Sequence, residues 1–215
     1  MRVDAVVFDL WETLVEWPLA EAAEHRRSLA DRLGLPLDEA ERRLEEHYLA
    51  SQTGPLATVY RTLGMPEAQV AAHVEARVEL TRSALRPGRD VVDTLRELRR
   101  RGLRLGLISM CSEDVPVAWP DTDLAGLFDV ETFSASCGLV KPEPQIYLHT
   151  ARALGVEPPA CLFVGDGAND ELAGAARVGM TPVLFLPSDR EPYWPSVRGW
   201  SGLRVSSIPE VLELC

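Results

Sequence analysis

Short, almost uninterrupted apolar runs alternate with stretches of helical periodicity, and this alternation restricts the fold of the chain more than any other feature. The runs cover residues 3–8, 103–108, 161–164, 182–186 and, less clearly, 203–205. Strands of this kind are typical of a parallel sheet that helices cover on both faces. The pattern therefore predicts an α/β protein with a Rossmann-like parallel sheet core.

One long segment, residues 19–86, breaks the alternation. It contains no convincing strand, and its apolar residues recur at helical spacing between turns rich in glycine and proline. We predict an inserted unit of about four helices at 18–86, with residues 1–17 and 87–215 forming the core. Residues 187–202, rich in Pro, Ser, Gly and Trp, are predicted to form a loop.

The charge and cysteine content exclude several classes of partner. The net charge is −11 and the charges are interspersed, whereas a nucleic-acid surface needs a basic face. No early apolar run is long enough for a signal peptide or a membrane span. Four cysteines without CxxC spacing fit a reduced compartment. We expect a cytoplasmic monomer or homodimer with no nucleic-acid or membrane partner.

Polar residues with catalytic potential stand where the predicted strands end. Asp9 follows the first, Ser109 the second and Asp166 the third, and Asp170 comes at a predicted helix start. Ligands of open parallel sheets bind beyond the carboxyl ends of the strands, so these groups are expected to converge. Two or three carboxylates with water form an oxygen site suited to Mg²⁺.

Lys141 adds a cation to this set, and it is the only lysine among 22 basic residues. Its ammonium and the Ser109 hydroxyl would hold phosphoryl oxygens. A metal that neutralises the phosphate would let Asp9 attack phosphorus and form an aspartyl-phosphate. The residues thus favour a hydrolase that acts on a small phosphorylated molecule.

Four segments resemble, in order and spacing, the four motifs of the haloacid dehalogenase (HAD) superfamily. They are FDLWETL (8–14), LIS (107–109), GLVKPEPQIY (138–147) and FVGDGANDELAGA (163–175). The helical insert resembles the four-helix, C1-type cap of the capped subfamily I, which closes over the site and selects the substrate. The resemblance implies a Mg²⁺-dependent phosphatase.

The resemblance also implies a role for each matching residue. Asp9 would be the nucleophile, while Thr13 and Ser109 would orient and bind the phosphoryl group. Lys141 would bridge Asp9 and the phosphate. The metal ligands would be Asp9, Asp166 directly, Asp170 directly or through water, and the backbone carbonyl of Trp11.

Trp11 departs from the pattern of the family's phosphatases, which usually place a second aspartate there as the general acid and base. An indole cannot exchange protons at neutral pH. The family's dehalogenases have an aromatic residue at this position, where Trp11 would shape the substrate pocket, but they lack the carboxylate that Asp166 represents. Three alternatives stay open: a phosphatase with a lost or relocated acid, for which Glu12 is a candidate, a metal-independent 2-haloacid dehalogenase, and a degenerate-site binding or regulatory protein.

Polar side chains of the insert are further candidates for substrate contact. They are His25, Arg26, Arg43, His47, Tyr48 and Arg61. Three aromatic residues of the C-terminal loop, Tyr193, Trp194 and Trp200, are expected to serve local packing.

Overall fold

The computed structural model describes residues 2–215, and its centre is a six-stranded sheet in which every strand pair is parallel. The strand order is β3-β2-β1-β4-β5-β6. The bounds are β1 Ala5–Phe8, β2 Arg104–Ser109, β3 Val130–Phe133, β4 Cys161–Gly165, β5 Thr181–Phe185 and β6 Leu203–Val205. The predicted Rossmann-like parallel core is therefore confirmed, and β3 is an additional edge strand that the apolar pattern did not predict.

Ten α-helices accompany the sheet in residues 2–215. Five lie between β1 and β2: α1 Leu19–Leu33, α2 Leu37–Glu46, α3 Tyr48–Thr53, α4 Leu56–Thr62 and α5 Glu67–Ala84. The others are α6 Arg89–Arg100, α7 Asp114–Ala118, α8 Ser134–Cys137, α9 Pro144–Leu154 and α10 Glu171–Arg177. The helical insert, residues 19–84, thus has five helices rather than four, because the short α3 follows a break at His47.

Alternate residues of the central strand β1 face two separate cores. Val6 and Phe8 pack with the apolar face of α6. Ala5 and Val7 pack on the opposite side with residues of α9 and α10. Because both faces are covered, the strand is apolar throughout, which is the property that made it visible in the sequence. The polar residues that follow the strands are left at the carboxyl edge.

The helical insert has a core of its own and is fixed to the rest of the molecule beside that edge. The small core includes Leu29, Val59, Tyr60 and Val70. The Arg77 guanidinium in α5 donates to the Asp114 carboxylate at the start of α7 at 2.9 Å. No helix within residues 2–215 combines the length and the apolar character needed to cross a membrane.

Candidate active site

Lys141 lies buried between two carboxylates at the carboxyl edge of the sheet. Its Nζ donates to Asp9 Oδ1 and to Glu171 Oε2, both at 2.5 Å. Burial alone would lower the pKa of Lys141, but the two carboxylates outweigh it and raise that pKa above its usual value. The ammonium is therefore charged at neutral pH and offsets part of the negative charge beside Asp9.

Glu171, rather than Asp170, turns into the site. Asn169 and Asp170 both have left-handed backbone conformations, with φ of 52° each, immediately before α10. The resulting turn leaves Asp170 exposed and directs the fully buried Glu171 inward. The structure therefore brings Glu171, and not Asp170, close to Asp9 and Asp166, and metal ligation by Asp170, directly or through water, stays a prediction.

A glycine in β4 makes room for Glu171. A Cβ atom on Gly165 would collide with the Glu171 carboxylate. The same carboxylate accepts a hydrogen bond from the backbone N–H of Gly167 at 3.0 Å. Burial and the nearby Asp9 raise the pKa of Glu171 well above its usual value, and Lys141 opposes that rise.

Asp166 completes the acidic group and is held through both oxygens. The backbone N–H of Ala168 donates to Oδ1 at 3.0 Å, and the Trp194 indole N–H donates to Oδ2 at 2.7 Å. Burial and Asp9 raise the pKa of Asp166, whereas these hydrogen bonds lower it. Trp194 is therefore more than a packing residue of its loop, because it contacts a carboxylate of the site.

Asp9, Asp166 and Glu171 form a donor set suited to a hard divalent cation. One oxygen from each lies within 4.8 Å of the other two. Crowding three carboxylates in a buried space is unfavourable unless positive charge balances them, and Lys141 supplies only one charge. Carboxylate oxygens are the ligands that Mg²⁺ prefers, so the residues present fit this ion.

Thr13 and Ser109 also lie at this edge. The Thr13 hydroxyl donates to Asp9 Oδ2 at 3.1 Å, so both Asp9 oxygens have a partner. Ser109 is fully buried, and its Oγ has no partner of hydrogen-bonding geometry among residues 2–215. Phosphate contact by Ser109 stays a prediction.

Trp11 and Glu12 occupy the turn after Asp9. The Trp11 ring meets Trp17 edge to face, with centroids 4.8 Å apart. Glu12 accepts hydrogen bonds from the Trp17 backbone N–H at 2.7 Å and from the Arg190 guanidinium at 2.9 Å. Glu12 is thus engaged in holding the turn, which makes it a poor substitute for the absent aspartate.

A cavity of about 710 Å³ opens between the helical insert and the carboxyl edge. Asp9, Lys141 and Asp166 lie in its wall, as do Trp11 and the residues after β2 from Met110 to Ser112. Among the polar residues of the insert that we predicted to contact the substrate, Tyr48 lines the cavity. Arg77, which sequence reasoning missed, lines it too.

These residues lie in a segment that matches a known protein family. The model of the haloacid dehalogenase-like hydrolases matches residues 3–179, which includes all four motifs. The chain belongs to this hydrolase family. The family assignment makes the chain an enzyme, and the nucleophile of the resemblance, Asp9, is the residue that Lys141 and Thr13 contact.

Several members of the HAD-like hydrolases resemble this chain over most of its length. The glyceraldehyde 3-phosphate phosphatase of Methanopyrus kandleri is 33% identical, with 84% of this chain and 83% of that protein covered. A HAD phosphatase from Thermococcus onnurineus has a TM-score of 0.72 at 23% identity, covering 100% of this chain and 97% of that one. A 2-haloacid dehalogenase from Pseudomonas syringae has a TM-score of 0.74 at 22% identity, covering 99% of this chain and 97% of that one. These two structures share the HAD fold.

Three residues of the candidate site were not predicted from the sequence, although the sequence pattern around one of them would have allowed it. Glu171 is four residues before the buried Ala175, so a helix starting there places both on the inner face. Arg77 and Trp194 lie in segments remote from every motif, and only the folded chain brings them to the cavity.

Proposed function

We propose that this HAD-like hydrolase is a Mg²⁺-dependent phosphatase that acts on a small phosphorylated metabolite in the cytoplasm. The observation that carries the proposal is the group of Asp9, Asp166 and Glu171 around the buried Lys141. The name of the M. kandleri relative, a phosphatase of 33% identity, supports the same chemistry. In this proposal the helical insert serves as the cap that selects the substrate.

The cation would be held by Asp9, Asp166 and Glu171, with the Trp11 carbonyl as a further candidate ligand. When bound, Mg²⁺ would neutralise phosphoryl oxygens and so lower the repulsion between phosphate and a carboxylate nucleophile. Asp170 is exposed and is not needed for this set.

Asp9 then forms a bond to phosphorus while the bond from phosphorus to the ester oxygen breaks. Lys141, held at 2.5 Å from Asp9, balances charge on the transferring group. Thr13 fixes the second Asp9 oxygen, so the first is oriented for attack. Water hydrolyses the resulting aspartyl-phosphate and regenerates Asp9.

The test compares carboxylates inside and outside the group. Asp166→Asn and Glu171→Gln should abolish Mg²⁺-dependent phosphatase activity, whereas Asp170→Asn should retain most of it. Chelator should abolish the activity of the unaltered protein and Mg²⁺ should restore it. Full activity in excess chelator, or loss of activity in Asp170→Asn alone, would contradict the proposed metal set.

A second candidate function, metal-independent hydrolysis of a 2-haloacid, rests on Trp11. An aromatic residue at this position is the feature that the dehalogenases of the family share. Release of halide from a 2-haloacid in the presence of chelator would favour this function. No turnover of either 2-haloacids or phosphate esters, together with Mg²⁺ binding, would favour a degenerate site that binds without catalysis.

A further inference from the structure

The cavity beside Asp9 is large for the substrate of a phosphatase that cleaves a three-carbon ester. Its volume of about 710 Å³ lies in the upper part of the range of about 300–1,000 Å³ that is typical of sites for drug-sized ligands. A molecule such as glyceraldehyde 3-phosphate would leave most of this space to water. The size of the cavity therefore indicates a larger leaving group.

Aromatic side chains from separate parts of the chain line this space. Trp11 and Trp17 follow β1, Tyr48 comes from the helical insert, and Tyr193 and Trp194 come from the C-terminal loop. Two pairs lie edge to face: Trp11 with Trp17, and Tyr193 with Trp194, each with ring centroids 4.8 Å apart. Aromatic walls favour an apolar or aromatic ring over a short polyhydroxyl chain.

Arg77 places a guanidinium group beside one of these rings. The Arg77 Nε donates to Asp114 at 2.9 Å, and its guanidinium lies 5.3 Å from the centre of the Trp17 ring. Within residues 2–215, the Arg77 side chain makes this single hydrogen bond, through its Nε. Its Nη groups therefore remain as donors for a ligand in the cavity. An oxygen acceptor on the ligand would satisfy them.

The charges of the cavity favour a neutral acceptor over a second anion. Arg77 is paired with the buried Asp114, and Arg190 is paired with Glu12 and Glu16. Both guanidinium groups that line the cavity are therefore already balanced by carboxylates. A substrate carboxylate at this end would gain little from them and would lose its hydration.

We propose that the natural substrate, for the phosphatase described above, is a phosphate monoester of a ring-bearing alcohol with a neutral oxygen acceptor near the ring. The ring would lie among Trp11, Trp17 and Trp194, and the acceptor would face the Arg77 Nη groups. The phosphate would then reach Asp9 and Lys141. This inference rests on the proposed function and adds the chemical class of the leaving group.

The experiment compares alkyl phosphates, so that every leaving group is a basic alkoxide. Benzyl phosphate and 3-methoxybenzyl phosphate are set against glyceraldehyde 3-phosphate and 2-phosphoglycolate, with Mg²⁺ present. We expect KM to be lower by about tenfold or more for the benzyl esters, because the ring is buried. Benzylphosphonate, which cannot be hydrolysed, should also quench tryptophan fluorescence at lower concentration than methylphosphonate.

Two variants and a control connect this preference to the named residues. Trp17→Leu should reduce the KM ratio between the short-chain and benzyl esters, while Trp200→Leu, outside the cavity, should leave that ratio unchanged. Arg77→Lys keeps the charge beside Asp114 but should remove the advantage of the methoxy ester over the benzyl ester. If either variant fails to fold, the phosphonate comparison in the unaltered protein decides.

The outcomes separate the two proposals. Mg²⁺-dependent hydrolysis that prefers the short-chain esters, or equal fluorescence response to both phosphonates, would overturn the ring-bearing substrate and leave the phosphatase intact. Failure to hydrolyse any phosphate monoester would overturn both.

Discussion

The indole N–H of Trp194 donates to Asp166 Oδ2 at 2.7 Å and so connects the C-terminal loop to a carboxylate of the candidate active site. The loop is fixed at two more points, because Ser196 Oγ donates to the Gly167 carbonyl at 3.2 Å and Val197 fills the space that a Gly167 side chain would need. The hydrogen bond lowers the pKa of Asp166 and so favours the ionised form, which is the form that binds metal.

Trp194→Phe should therefore weaken Mg²⁺ binding while keeping an aromatic ring in the loop. Loss of a residue that orients a metal ligand typically costs about 10–100-fold in metal affinity. We expect a shift of that size in the Mg²⁺ concentration at half-saturation, measured by calorimetry and by the Mg²⁺-dependent rise in Tm. Trp200→Phe, in the same loop, is the control, and equal Mg²⁺ affinity in both variants would refute the role of the indole N–H.

Lys141→Met should abolish turnover and destabilise the protein at neutral pH. The change removes the cation between Asp9 and Glu171 and leaves two buried carboxylates without it. Breaking a buried ion pair in this way costs about 3–5 kcal/mol of unfolding free energy. Urea unfolding measures the loss, and phosphatase assays measure turnover.

A double variant separates stability from chemistry at this site. Lys141→Met with Glu171→Gln removes one of the uncompensated charges, so it should regain part of the unfolding free energy and none of the activity. A single Lys141→Met variant with rates close to those of the unaltered protein would contradict the role of Lys141 beside the nucleophile.

The pair of histidines in the helical insert should make stability fall in mild acid. Burial, followed by the neighbouring His73 and Arg77, lowers the pKa of His25 to about 3, and burial lowers that of His73 to about 4, from 6.5. The unfolded chain therefore binds more protons than the folded chain below about pH 6.5. The contribution of the two histidines to the free energy of unfolding is complete above that pH. It is lost as the pH falls towards 4, at up to about 1.4 kcal/mol per pH unit for each proton.

His73→Leu tests this dependence. His73 is fully buried and neither ring nitrogen has a hydrogen-bond partner among residues 2–215, so an apolar replacement removes a titrating group without breaking a bond. Urea unfolding between pH 7 and 5 should show a smaller loss of stability in this variant than in the unaltered protein. His149→Gln, at an exposed histidine, should follow the unaltered protein; an identical slope in all three would argue against the histidines.

The core of the fold was predictable because burial on both faces makes a strand apolar throughout. β1 is the clearest case, since all four of its residues are fully buried. β3 has the sequence Val-Glu-Thr-Phe and lies at the edge of the sheet, where Glu131 is exposed. An edge strand that is only partly buried carries polar residues, so it lacks the continuous apolar run by which the buried strands were predicted.

The candidate site was predictable where the placement of a residue depends on its position along a strand or loop, and less so where it depends on the direction of its side chain. Asp9 and Lys141 meet as the order of the motifs implies. The choice between Asp170 and Glu171 depends on two consecutive left-handed residues, and nothing in the sequence pattern specified both. The Trp194 contact depends on how a long loop folds back, which local periodicity does not encode.

Trp11→Asp tests how the leaving group departs. If no residue replaces the absent general acid, aryl and acyl phosphates should be cleaved well by the unaltered protein, and alkyl phosphates should lag by up to the factor of about 10²–10⁴ that an acid supplies. The aspartate should then raise kcat/KM for alkyl esters far more than for aryl esters. The measurement is kcat/KM across esters that span a range of leaving-group pKa, for both proteins, with Trp11→Asn as the control that cannot donate such a proton.

If kcat/KM of the unaltered protein does not change with leaving-group pKa, another residue acts as the acid. Tyr48 would then be the first to replace with Phe, because it lines the cavity and its hydroxyl carries a proton, whereas Glu12 is already bound to Trp17 and Arg190.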